Sequence, residues 1–290
     1  MELIEKILSE ENLQKAIRKV KKNKGAPGVD KMTVQEVEEW FNQYKKELIF
    51  KILNKQYKPM PVKRVYIPKP NGKQRPLGIP TVVDRVIQQA MLQVLNEIYE
   101  PVFSEHSYGF RPNRSAHMAM EEVLGYLNDG YEWIVDLDIE KFFDTVNHDK
   151  LISILRERVN DSKTLHLIRA YLQAGVLDKG LVRSSTIGTP QGGPISVILS
   201  NIYLDKFDKE LESRNLRFAR YADYTEVETM PKLSLKHRRY QGFLLIISAY
   251  FFYYKRYRRS KVSGLLQLFI PLSGLTVSIA FARTSNVANA

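Results

Sequence analysis

Apolar residues recur at helical spacing from the start of the chain: Leu3, Ile4, Ile7 and Leu8, then Leu13, Ala16, Ile17 and Val20. Positions three and four apart share one face of a helix, so the pattern predicts a helical opening with one buried stripe. Asn23–Asp30 (NKGAPGVD) interrupts it with Gly and Pro and predicts a loop. Thr33 followed by Glu36 has the form of a capping box and predicts a helix carrying Trp40, Phe41 and Tyr44. Val62–Ile67 and Gln74–Ile79 predict two strands, with Lys69–Lys73 (KPNGK) turning between them. Val83, Val86, Ile87, Ala90, Met91, Val94, Leu95 and Ile98 form a strong helical stripe, and Ser115–Leu127 predicts another helix. Trp133–Asp138 (WIVDLD) predicts a strand, His148–Val159 a helix, and Phe218–Asp223 the first arm of a hairpin. Strands alternating with helices predict an α+β architecture.

Composition narrows the function classes. Hydrophobic residues at 44% and charged residues at 26% are ordinary for a globular protein of 290 residues. Cysteine is absent, which excludes disulfides, thiolate nucleophiles and cysteine-ligated zinc. Met1–Ser9 carries two Glu and one Lys inside an amphipathic pattern, unlike a signal peptide, and a cytoplasmic setting is expected. The net charge of +12 suggests a nucleic-acid partner. Its distribution is uneven: residues 225–290 hold ten Lys and Arg against Glu226 and Glu228. Before that tail, residues 51–86 hold nine bases, among them Lys63, Arg64, Lys69, Arg75 and Arg85, against Asp84 alone. Such a stripe can neutralise phosphates, or it can be a solvated face.

Three groups of residues could carry chemistry. Asp136 and Asp138, two apart on a strand, share a face, and Asp223 in Arg220–Asp223 (RYAD) lies at a hairpin tip. Carboxylates so delivered suit Mg²⁺, which takes one or two of them together with substrate phosphates; solvated acids at strand ends are the alternative. Lys69 and Arg75 flank a turn containing Gly72 and suit a triphosphate, or else an exposed basic hairpin. Thr189–Ser196 (TPQGGPIS) is either an ordinary loop before a helix or backbone held against a ligand, with Gln191 offering an amide.

Val65–Pro80 (VYIPKPNGKQRPLGIP), Ser107–His117 (SYGFRPNRSAH), Asp136–His148 (DLDIEKFFDTVNH), Gly188–Asp205 (GTPQGGPISVILSNIYLD) and Phe218–Asp223 (FARYAD) resemble, in order, successive motifs of group II intron reverse transcriptases. Asn23–Thr33 (NKGAPGVDKMT) resembles the N-terminal extension of that family. The resemblance implies a right-hand polymerase: fingers with the extension over 1–100 and a ferredoxin-like palm over 101–224, left incomplete. It implies RNA-directed DNA synthesis on a Mg²⁺ pair, with Asp138, the Ile139 carbonyl and Asp223 as metal ligands. Phe143 matches the gate that selects deoxynucleotides, and Lys69, Arg75, Gln191 and Gly192 match residues around the incoming dNTP. Lys63, Arg64, Arg111 and Arg114 are assigned to RNA and primer, so that an RNA template with a DNA primer, intron RNA and dNTPs are the implied partners.

Two positions depart from the family pattern. Val197 stands where the family often has Pro, and Tyr224 stands where it has a second Asp, which leaves the implied two-metal site incomplete. Beyond Tyr224 no closing strand or thumb is recognised, and residues 225–290 read as an aberrant tail, unrelated or out of frame. Val262–Ala282 is uncharged and long enough to cross a bilayer, but Ser263, Pro271, Ser273, Thr276 and Ser278 dilute it, and no membrane anchor is expected. An inactive remnant that still holds intron RNA is the alternative reading.

Overall fold

The computed structural model describes residues 2–68, 72, 74–129, 133–139, 142–183, 187–189, 192–229, 265–270 and 275–283. The helices are α1 (Leu3–Ile7), α2 (Glu10–Lys22), α3 (Val37–Leu53), α4 (Val82–Tyr99), α5 (Ala116–Asn128), α6 (Phe142–Thr145), α7 (His148–Arg156), α8 (Ser162–Gln173) and α9 (Pro194–Ser213). Side chains that accept from orphan N–H groups open several of them: Ser9 for α2, Thr81 for α4, Ser115 for α5, Asn147 for α7 and Asp161 for α8. The Thr33–Glu36 pair forms only half of its expected box. The Glu36 carboxylate accepts from both the Thr33 N–H (2.7 Å) and the Thr33 hydroxyl (2.6 Å), so that hydroxyl donates and caps nothing, and α3 begins immediately after Glu36, at Val37.

The strands form two sheets. In the first, β1 (Val62–Pro68) pairs antiparallel with β2 (Gln74–Ile79) and parallel with β4 (Val176–Asp178), which pairs with β5 (Leu181–Arg183). The second has the order β6-β7-β3-β9-β8, from β6 (Arg217–Tyr221), β7 (Tyr224–Thr229), β3 (Trp133–Ile139), β9 (Leu275–Arg283) and β8 (Leu265–Ile270). Strand β7 supplies the second arm of the predicted hairpin, whereas β8 and β9 continue the sheet in a stretch where the sequence shows no recognised closing strand. β9 runs antiparallel to β3 from Trp133↔Arg283 to Ile139↔Val277, and β8 pairs with β9 as a hairpin. The signal missed is period-two alternation: Leu275, Val277, Ile279 and Phe281 alternate with Thr276, Ser278, Ala280 and Ala282. Among the described residues no helix is long and apolar enough to cross a membrane.

One large core joins the helices, with α4 at its centre against α2 and α9. Helix α4 is buried on nearly all sides, so its polar residues need internal partners. The Asp84 carboxylate accepts from the Tyr57 hydroxyl (2.6 Å), the Thr81 hydroxyl (2.7 Å), the Tyr171 hydroxyl (3.1 Å) and the Met60 N–H (3.3 Å). Burial pushes the Asp84 carboxyl up, and those donors oppose the shift. Arg85 leaves the basic stripe that the sequence placed it in: it is buried, and Nη2 donates to the Ala26 carbonyl at 2.7 Å. It thereby clamps the loop after α2, where a Cβ on Gly25 would come within 2.2 Å of Arg85 Nη1.

Candidate active site

Strands β6 and β7 close on the pair Tyr221↔Tyr224, leaving Ala222 and Asp223 as a two-residue turn. Ala222 has φ 62°, a left-handed conformation that costs a residue with a Cβ about 1 kcal/mol. Strand β3 pairs with β7 so that Asp138 stands opposite Tyr224. Neighbouring strands are about 4.7–4.9 Å apart, so this register brings the backbone of Asp138 beside that of the Asp223 turn, across 85 residues of sequence. Asp223 itself is half-buried.

The turn is held from behind by Arg220, which is fully buried. Its Nε and Nη2 donate to the two Asp208 oxygens on α9 (both 2.7 Å), forming a bidentate pair. Nη1 donates to the Asn201 Oδ1 (3.1 Å) and the Ala222 carbonyl (2.7 Å), and Nη2 donates also to the Ser107 hydroxyl (2.7 Å). All five guanidinium donors are therefore matched. Beside it, segment 106–109 pairs with β6: the Arg220 N–H donates to the His106 carbonyl and the Tyr108 N–H to the Arg220 carbonyl, both at 2.8 Å. Gly109 follows, accepting at its carbonyl from Asn201 Nδ2 (2.9 Å); a Cβ there would lie 2.1 Å from the Ala222 nitrogen. Only glycine allows that approach to the turn.

His106 anchors the same segment to α5. Its Nδ1 lies 2.5 Å from Glu122 Oε1, and Glu122 accepts also from the hydroxyls of Tyr108 (2.5 Å) and Tyr126 (2.6 Å). The bond to Glu122 raises the His106 pKa above its ordinary 6.5, against the effect of partial burial. Burial pushes Glu122 up, but bonds from His106, Tyr108 and Tyr126 outweigh it and leave the carboxyl lowered.

A second loop approaches from the start of α9. The Thr189 N–H donates to the Phe143 carbonyl (2.6 Å) and the Gly188 N–H to the Val146 carbonyl (2.8 Å). His148 Nε2 donates to the Gly188 carbonyl at 2.6 Å, which fixes its tautomer. Gly192 has φ 114°, and a Cβ there would sit 2.2 Å from the Gly78 carbonyl oxygen of β2. Gly188 and Thr189 are thus tied to the chain at α6, and Gly192 is set against the first sheet. Phe143 on α6 is buried, its ring edge-on to Phe142 at 5.4 Å.

Lys69 and Gln191 lie outside the described residues, and for Asp138 only the backbone is described. Lys63 and Arg75 are exposed and Arg64 half-exposed on the β1–β2 hairpin; Gly192 lies against β2 at Gly78, and Phe143 lies on α6 against Gly188 and Thr189. Ile139, the last residue of β3, pairs with Val277. Arg111 is a correction: its side chain is 2% exposed and donates to the Glu100 carboxylate (2.8 Å) and to the carbonyls of Ser104 (2.5 Å) and Ser107 (2.8 Å), so it braces the chain and offers nothing to RNA. Arg114 is half-buried, bonded to the carbonyl and carboxylate of Glu105, with its guanidinium 5.3 Å from the Tyr108 ring. Sequence reasoning missed Arg220, Asp208 and Asn201. The available signal was a charge inside the apolar strand FARY, but no spacing rule names a partner on another element.

Among the described residues no three His, Cys, Asp or Glu gather into a metal cluster. The backbone proximity of Asp138 and Asp223 fits one Mg²⁺ completed by phosphate oxygens better than it fits a closed protein cage.

An acidic strand paired in register beside an acidic hairpin turn is a setting that template-dependent polymerases use. The family model described as Reverse transcriptase (RNA-dependent DNA polymerase) matches residues 67–227, and the chain belongs to that family. Members of the family generally use Mg²⁺. The chain is 41% identical over 220 residues to Protein YkfC of Escherichia coli (strain K12), covering 74% of this chain and 58% of that protein. It is 40% identical over 200 residues to the group II intron-encoded protein LtrA of Lactococcus lactis subsp. cremoris, covering 68% of this chain and 33% of that protein. It is also 36% identical over 203 residues to the putative COX1/OXI3 intron 2 protein of Saccharomyces cerevisiae, covering 69% of this chain and 23% of that protein. The chain therefore spans between 23% and 58% of the length of these relatives. Among solved structures, a chain of a partial Cas6-RT-Cas1–Cas2 complex aligns with TM-score 0.53 at 22% identity, covering 86% of this chain and 41% of that one, and shows the common reverse transcriptase-like fold.

Proposed function

We propose that this chain carries the polymerisation centre of a group II intron reverse transcriptase, RNA-directed DNA synthesis being its inherited activity, in a form that Tyr224 leaves close to inactive. The observation that carries the reading is the β3–β7 register, which sets Asp138 beside the Asp223 turn. In this reading the first sheet is the fingers and the second the palm. Asp138, Asp223 and the Ile139 carbonyl would hold Mg²⁺, which supplies charge neutralisation at the reacting phosphate and acidifies the attacking 3′-hydroxyl. Phe143, pinned through its carbonyl to Thr189, closes the space a ribose 2′-hydroxyl would need. Gly192 brings the backbone of its loop to the new base pair, with Gln191 beside it. Lys69 and Arg75 hold the triphosphate, while Lys63, Arg64 and Arg114 face RNA and primer.

Tyr224 occupies the register position opposite Asp138. A phenol is neutral near pH 7, with a reference pKa of about 10, and adds no charge for a second ion. Losing one neutral oxyanion donor costs about 10²–10³ in rate, and a missing metal carboxylate is no milder. The intron-RNA-binding remnant is the reading that Tyr224 favours if no synthesis can be restored. Primer extension on an RNA template with Mg²⁺ tests this. The unaltered chain is expected to synthesise at least about 10²-fold less than Tyr224→Asp. Robust synthesis by the unaltered chain would sink the claim of impairment; silence from Tyr224→Asp would move the defect away from position 224 and leave RNA binding as the chain's function.

A further inference from the structure

We infer that Arg220 is the positioning residue of the metal-bearing turn: its guanidinium, locked on Asp208, holds the Ala222 carbonyl and thereby aims Asp223. The inference rests on the reading of Asp223 as a metal-bearing residue and adds what sets that residue's direction. Four observations carry it. Arg220 sits in a strand at full burial, where a charge is tolerated only with its partners complete. Its bidentate pair with Asp208 fixes the plane of the fork, since both bonds are 2.7 Å. One of the remaining donors reaches the Ala222 carbonyl, the peptide that leads directly into Asp223. Ala222 meanwhile keeps a left-handed φ of 62°, which a residue with a Cβ adopts only when its surroundings hold it there.

A bare salt bridge between β6 and α9 would need only the two Asp208 contacts. The contacts to Ala222, Asn201 and Ser107 instead tie the turn, α9 and segment 106–109 to one planar group. Lysine can keep the charge there but cannot make the fork and the turn contact together. The geometry assigns Arg220 no contact with substrate or metal; it acts through the turn.

The test uses the full chain with Mn²⁺ as probe, measured by the free-ion electron paramagnetic resonance signal, together with amide hydrogen exchange. Three variants, with Asp223→Asn as reference, are compared with the unaltered chain. Arg220→Lys keeps the charge. The double variant Arg220→Met with Asp208→Leu replaces the buried pair by apolar groups, a change that is often neutral for stability. Asp84→Asn disturbs a buried polar network in α4 remote from the turn. Both Arg220 variants are expected to weaken Mn²⁺ binding by about 10-fold or more, the usual effect of losing a group that orients a metal ligand, approaching Asp223→Asn. The amides of 221–224 should exchange at least about tenfold faster while those of β1 and β2 do not change. Asp84→Asn should lower the melting temperature and leave Mn²⁺ affinity unaltered. An Arg220 variant that stays folded with normal Mn²⁺ affinity and normal exchange at 221–224 overturns the inference. If Asp223→Asn binds Mn²⁺ as well as the unaltered chain, the metal reading of Asp223 fails, and exchange alone decides on Arg220: faster exchange confined to the turn sustains its positioning role, and unchanged exchange ends it.

Discussion

Arg111 and Arg220 are both buried arginines bonded to acids, yet the sequence presents them in opposite lights. Arg111 lies in a basic, loop-like motif and reads as a nucleic-acid contact, whereas Arg220 lies between Ala219 and Tyr221 in a strand and draws no attention. Burial reverses the two: a guanidinium away from water must fill its donors from the protein, so each becomes a brace. The same scale governs the glycines of the Gly-rich loop. Gly192→Ala would force a Cβ into a φ of 114° and against the Gly78 oxygen, so either the loop or β2 must shift. The expected cost is about 1–3 kcal/mol, read as a lower melting temperature, together with loss of nucleotide binding. A variant that melts and binds like the unaltered chain would show that the loop has slack this packing does not contain.

At the scale of elements, the β6–β7 hairpin is stiffened by segment 106–109, which α5 holds through His106 and Glu122. The two shifts set a pH window. His106 is raised above 6.5, so its contribution to stability is complete below that pH and is lost as pH rises through the raised value. Glu122 is lowered below 4.5, so its contribution is present above that pH and lost as pH falls through the lowered value. The cluster therefore supports the hairpin best in mildly acid solution, between those two ordinary values. The difference in melting temperature between the unaltered chain and His106→Gln should shrink from about pH 6 to about pH 9. A difference that stays constant across that range would mean the imidazolium adds nothing beyond its edge-on packing against the Phe218 ring, 5.1 Å between centroids.

For the whole molecule, the nine bases of residues 51–86 do not form one surface. Arg85 turns inward to Ala26, Lys51 pairs with Glu47, and Lys55 reaches Ser162, while Lys63 stays exposed and Arg64 half-exposed on β1 of the β1–β2 hairpin. Electrostatic RNA binding should therefore depend on that hairpin. Replacing Lys63 and Arg64 by Gln should weaken RNA binding at low salt and reduce the slope of log K against log salt by about 1 per lost phosphate contact. Arg111→Gln should instead lower the melting temperature with the slope unchanged for the folded fraction. An unaltered slope in the Lys63–Arg64 double variant would move the RNA surface elsewhere on the chain.

The helical stripes of α2 and α4, the β1–β2 hairpin and the strand at Trp133 were legible because each rests on local periodicity and turn chemistry. The five motifs and the departure at Tyr224 were legible for a related reason, since residue type and order are one-dimensional information. The strands β8 and β9 were also written locally, in the alternation from Leu275 to Phe281, although charge and composition directed attention away from it. By itself, then, the sequence determined the mixture of helices and strands and the order of the motifs, among which Asp138 and Asp223 are the candidate acids. Only the tertiary structure decided which residues meet: Asp138 with the Tyr224 position, Gly109 with Ala222, Gly192 with Gly78, and Arg220 with Asp208. Those contacts join separate elements, and their register and burial depend on how whole faces pack, which no local spacing encodes.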